Sequence, residues 1–132
     1  MILILKTLTG CAIAFGIAYP IARASVQLTG VPSSFPPFTA LPILSGAVVG
    51  PIAAAIIYAT VRHFNTVDPD RTFFFITLFA FALSLLLPLR LSFTQSMRFT
   101  GVTPSAQMVL VLMHAIVAAS TFVALTYKAK LN

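Results

Sequence analysis

The chain has no tryptophan, one cysteine and two acidic residues, and each shortage closes off a class of protein. Both acids, Asp68 and Asp70, fall in one short stretch, so no apolar segment carries a carboxylate. That removes the group on which proton-coupled small exporters and most intramembrane proton relays turn. It also leaves Ser45, Ser84 and Ser120 unable to complete a Ser-His-Asp set. Cys11 stands alone, which excludes an internal disulfide and paired-cysteine redox chemistry. Two histidines far apart, His63 and His114, do not make a metal centre with that one thiol. Gly46 and Gly50 sit in an apolar stretch and form no phosphate-cradling loop. No catalytic residue, metal ligand or cofactor is expected.

Charge is scarce as well. Charged residues make up 8% of the chain and hydrophobic ones 59%, too little polar surface to cover a water-soluble core of 132 residues. A lipid-exposed exterior removes that difficulty, and apolar runs near twenty residues match a hydrocarbon core of roughly 30 Å. The formal charge of +6 comes from basic residues scattered at segment ends, with no stripe for nucleic acid. Membrane lipids, through their anionic headgroups, are the expected counter-charge.

The expected fold is therefore all-α: a single transmembrane domain over residues 1–132, an antiparallel four-helix bundle with spans near 3–25, 39–63, 71–92 and 104–127. Leu8-Thr9-Gly10-Cys11 has the form of a lipoprotein cleavage box, but Lys6 interrupts the stretch before it and the apolar pattern runs on to Ala22. The reading is an uncleaved first helix. Its small residues Thr7, Cys11, Ala14, Ala18 and Ala22 share a face suited to close helix approach. Gln27 to Thr39, with Gly30, Pro32, Pro36 and Pro37, is an uncharged loop whose Phe35 and Phe38 are expected in the headgroup region. In the second span Gly46, Gly50 and Ala54 form a small-residue face, and Pro51 predicts a kink by removing the hydrogen bond to the Ala47 carbonyl. Asp68-Pro69-Asp70 and Thr103-Pro104 each read as a cap followed by a first-turn proline.

Four spans place both termini on one side, together with Lys6, Arg62, Arg71, Lys128 and Lys130, against Arg23, Arg90 and Arg98 on the other. The positive-inside rule then makes the termini cytoplasmic, in a multi-pass protein of the cell membrane. Pro20 and Arg23 before Leu28-Thr29-Gly30-Val31 have counterparts in Pro88 and Arg90 before Phe99-Thr100-Gly101-Val102. On that weak repeat the bundle is alternatively two parallel-repeat helical hairpins.

His114 is the titratable residue expected near the bilayer midplane, ten residues and so about 15 Å from Pro104. Gln107, His114 and Thr121 recur every seven residues and share a face that should point into the bundle, with Ala118 beside it. The plain reading is a neutral imidazole satisfied by a neighbour, with the broken backbone near Ala47 and the hydroxyl of Ser84 at similar depth; the functional reading is a ligand-binding face. Haem is disfavoured because His63 lies at the edge of its span. Arg23 and Arg90 are the other ligand-binding candidates, as an outward anionic pocket for a lipid headgroup, against the plainer alternative of snorkelling to phosphate.

Phe35-Pro36-Pro37-Phe38-Thr39-Ala40, the Gly50-Pro51 helix, Asp68-Pro69-Asp70-Arg71-Thr72-Phe73 and Val111-Leu112-Met113-His114 together resemble a group of bacterial four-span integral membrane proteins of uncharacterised function. The resemblance covers most of residues 35–125; it implies bacterial origin and topology, and no activity. The expected function is non-enzymatic: an accessory or scaffolding component packing against itself or another membrane subunit through small-residue faces. The alternative is a small transporter or a lipid- or small-molecule-binding protein using the polar face around His114.

Overall fold

A computed structural model describes residues 1–65, 67–86 and 102–127, and among these every regular element is helical. Helix α1 spans Ile2–Thr29, a 3-10 turn Pro36–Phe38, α2 Ala40–Phe64, α3 Pro69–Ser84 and α4 Pro104–Thr126. Three of them, α1, α2 and α4, are long and apolar enough to cross a membrane. The expected exit of the third span, with Pro88, Arg90, Ser92 and Arg98, lies outside the described residues, as do Lys128, Lys130 and most of the second half of the proposed repeat.

Helix starts follow the expected chemistry. Asp68 accepts the Arg71 N–H at 3.2 Å and Thr103 accepts that of Ala106 at 3.1 Å, each with proline in the first turn. The end of α1 departs from expectation. It runs past Ser25 to Thr29, where Gly30 takes the left-handed conformation at φ 69° and closes it; Pro20 lies inside the helix. Pro20 faces outward, and α2 likewise continues as one helix through Pro51.

Antiparallel packing of α1 on α4 is the most extensive in the molecule. Every fourth residue from Gly10 through Ala14 and Ala18 to Ala22 is buried there. A Cβ on Gly10 would sit 3.4 Å from Ala124 Cβ and 3.7 Å from Thr121 Cα, so the two helices pack closely at this point. Gly10, absent from the expected stripe, replaces Thr7 and Cys11, which are half-buried. On α2 the buried stripe is Ile43, Ala47, Pro51, Ala55 and Tyr58, while Gly46 and Gly50 lie beside it and are exposed. Helix α3 packs against α2 and α4, on the side away from α1.

The two ends of this packing close differently. At the loop end, Phe35 and Phe38 are buried among Ala18, Ala22, Ile43, Ala106 and Leu110. Val31 and Phe38 fold back under the 3-10 turn because the loop has no charge to keep it in water, and its aromatic rings meet edge to face at 5.2 Å. At the opposite, lysine end, Lys6 Nζ donates to the carbonyls of Leu125 at 2.9 Å and Tyr127 at 2.7 Å, a cation on the exposed carbonyls of the α4 C-terminus. Tyr58 donates to Asp70 at 2.7 Å and Asn65 to Thr72 at 2.7 Å, tying α2 to α3.

Candidate functional site

The register between α2 and α4 decides what faces the expected polar residues. A Cβ on Gly50 would lie 3.4 Å from Val117 Cγ1. Ile43 and Leu110 share the core cluster of the loop end, Tyr58 and Leu125 that of the lysine end. Both helices run from the loop end toward the lysine end, so equal steps along each keep partners level. Three residues before the Gly50–Val117 contact, Ala47 stands level with His114; four residues after it, Ala54 stands level with Thr121.

His114 belongs to the stripe Leu110, His114, Val117, Thr121 and Leu125, which repeats at helical spacing on α4; Val117 approaches Gly50 of α2, and Thr121 lies beside Gly10 of α1. Its imidazole is half-buried, and Nδ1 lies 2.7 Å from the Leu110 carbonyl oxygen one turn back. A carbonyl only accepts, so Nδ1 donates in this bond. Thr121 is 3% exposed and its Oγ1 has no hydrogen-bond partner among the described residues. Gln107 is half-buried. Of the heptad, then, Thr121 is buried while Gln107 and His114 are half-buried.

The arginine pair is not brought together on the described residues: Arg23 is exposed toward the loop end of α1, and Arg90 falls outside them. His63 is exposed at the lysine end, its ring 4.9 Å from that of Phe64. An open groove of about 270 Å³ runs between α3 and α4, lined by residues such as Phe74, Leu78, Phe81, Ala115, Ala118 and Phe122. Its walls are hydrocarbon. Ala118, expected beside the polar face, belongs to this groove, whereas Gln107, His114 and Thr121 do not line it.

Sequence reasoning found the polar heptad from its spacing but missed a second feature, the outward notch on α1. Ala12, Gly16, Pro20 and Ala24 are all exposed, and a Cβ added to Gly16 meets nothing within 4 Å. Pro20 has no N–H, so the Gly16 carbonyl loses its helical donor on that same open face. The Gly-x-x-x-Pro spacing was the available signal. Comparison with protein-family models, curated proteins and solved structures finds no match.

Proposed function

We propose that this is a multi-pass integral protein of the cell membrane, crossing it four times with both termini cytoplasmic, and that it acts without catalysis as an accessory or scaffolding component. Its partner is a transmembrane helix, from a second copy or another membrane subunit. The Gly16–Pro20 notch carries this reading. In lipid a backbone carbonyl without a donor costs several kcal/mol, and lipid tails offer none. A partner helix seated on Ala12, Gly16 and Pro20 approaches closely enough for a donor or weak Cα–H contact to reach that carbonyl, and close packing of small residues is the main attraction between helices in a bilayer. Gly10 and Gly50 spend their smallness on contacts inside the chain, whereas Gly16 has no such use.

Cross-linking in native membranes, with Gly16→Leu beside the parent chain, tests the proposal. The parent is expected to form a cross-linked dimer or to capture a discrete membrane subunit, and Gly16→Leu to reduce that product at least tenfold while keeping its helix content. A parent chain that stays strictly monomeric in gentle detergent, with nothing copurifying, sinks the reading. Reporter fusions at the two termini test the topology; an outward-facing reporter at either one removes the four-span arrangement.

A further inference from the structure

We propose that the groove between α3 and α4 binds one acyl chain of an anionic phospholipid from the lysine-side leaflet, with the lipid's phosphate on Arg71. At the lysine end of the groove Phe74 and Phe122 meet edge to face at 5.6 Å. Seven residues further along each helix, in opposite directions, Phe81 and Ala115 line the other end. Between them the floor is Ala118 and Ala119 of α4, and α3 does not sink onto it: Phe74 and Leu78 stay exposed, leaving about 270 Å³ open. In hydrocarbon an empty gap forfeits dispersion contacts along its walls, and a flexible lipid tail restores them.

Size selects the chain, and charge selects the headgroup. From Phe74 to Phe81 the groove is about 10 Å long by helical rise, within the roughly 15 Å of hydrocarbon that one leaflet supplies. A partner helix, about 10 Å across, would rest on Phe74 and Leu78 and leave the alanine floor unfilled. Arg71 precedes those two residues by three and seven positions, so it shares their side of α3, and it is exposed. In sequence the lysine side carries Lys6, Arg62, Arg71, Lys128 and Lys130 against Asp68 and Asp70. Both acids are engaged, Asp68 by the Arg71 N–H and Asp70 by the Tyr58 hydroxyl. A guanidinium donates two parallel bonds to a phosphate, and a headgroup without its own cation suits this basic side better than a zwitterion. The site rests on the membrane reading above and uses no residue of the α1 notch.

Native mass spectrometry of the full chain, released from micelles holding equal amounts of dioleoyl phosphatidylglycerol and dioleoyl phosphatidylcholine, reads both occupancy and preference. The parent is expected to retain one lipid, with about a fivefold preference for phosphatidylglycerol. Arg71→Gln should abolish the preference while a lipid stays bound. Ala118→Leu and Ala115→Leu fill the floor at two places, and each should strip lipid of either kind with helix content unchanged, so the outcome does not hang on one variant folding. A preference that survives Arg71→Gln, or lipid retained in a folded leucine variant, overturns the proposal. So does a dimer in place of the lipid adduct that the leucine variants abolish, which would give the groove to a second copy. A parent that inserts into vesicles of the same two lipids yet shows no preference overturns this site alone; one that does not insert removes the membrane reading with it.

Discussion

The loop end and the lysine end of this molecule solve one problem with opposite materials. At the loop end an uncharged connection turns inward, and Phe35 and Phe38 seal the helices with hydrocarbon. At the lysine end the seal is made of hydrogen bonds: Lys6 on the α4 carbonyls, Tyr58 on Asp70, Asn65 on Thr72. A further bond of this kind, from Thr103 Oγ1 to the Thr29 carbonyl at 3.1 Å, joins α1 to α4 at the loop end, so hydrocarbon does not act there alone. The difference teaches where each kind of change will be felt: removing volume should damage the loop end, and removing a donor the lysine end.

Phe38→Ala should have the largest effect, because a 0% exposed ring is lost where water reaches the end of the packing. Its expected cost is about 3 kcal/mol, measured by reversible unfolding in mixed micelles. A loss under about 1 kcal/mol would mean that the loop is not a seal. Gly10→Leu comes next, at about 2 kcal/mol, since the new side chain must push against Ala124 and the α4 backbone at Thr121. Equal stability with leucine there would show that α1 and α4 are not held at the described separation.

Lys6→Met keeps the aliphatic stem and removes the cation, and should cost about 1.5 kcal/mol with fraying confined to the last turn of α4. Hydrogen exchange at Leu125 to Tyr127 checks the location; protection that falls instead at the loop end contradicts the comparison. Tyr58→Phe is the smallest, about 1 kcal/mol, because the ring keeps its place against Phe73 at 4.8 Å while the bond to Asp70 is lost. Combining Lys6→Met with Tyr58→Phe should add their costs nearly in full, whereas strong coupling between them would show that the lysine end behaves as one network.

Much of the local structure was legible in the sequence for reasons that involve few residues. Asp68-Pro69 and Thr103-Pro104 are self-contained, since a cap and its first-turn proline need only each other. Gly30 was equally legible as a helix stop, and in its left-handed conformation it closes α1 at Thr29, four residues beyond the expected boundary at Ser25. That Phe35 and Phe38 are buried was not legible, because aromatic residues in a loop between apolar helices suit an interfacial belt as well as an inward fold. The choice between those depends on whether neighbouring helices leave room, which Ala18, Ala22 and Ala106 do.

The candidate site divides in the same way. Spacing alone placed Gln107, His114 and Thr121 on one face of α4, because seven residues are close to two turns. What that face meets depends on the vertical offset between α2 and α4, and no periodicity within either helix encodes it. The approach of Gly50 to Val117 gives that offset.

By itself, then, the sequence determined the helices and their apolar character: two acids in 132 residues and long apolar runs give three helices long and apolar enough to cross a membrane. Tertiary structure alone decided which small residues are consumed and which stay open. Gly10 and Gly16 are chemically identical on one helix, yet one lies against α4 and the other faces outward. That distinction is a matter of rotation and register between helices, fixed by packing over many side chains at once, and no single residue carries it.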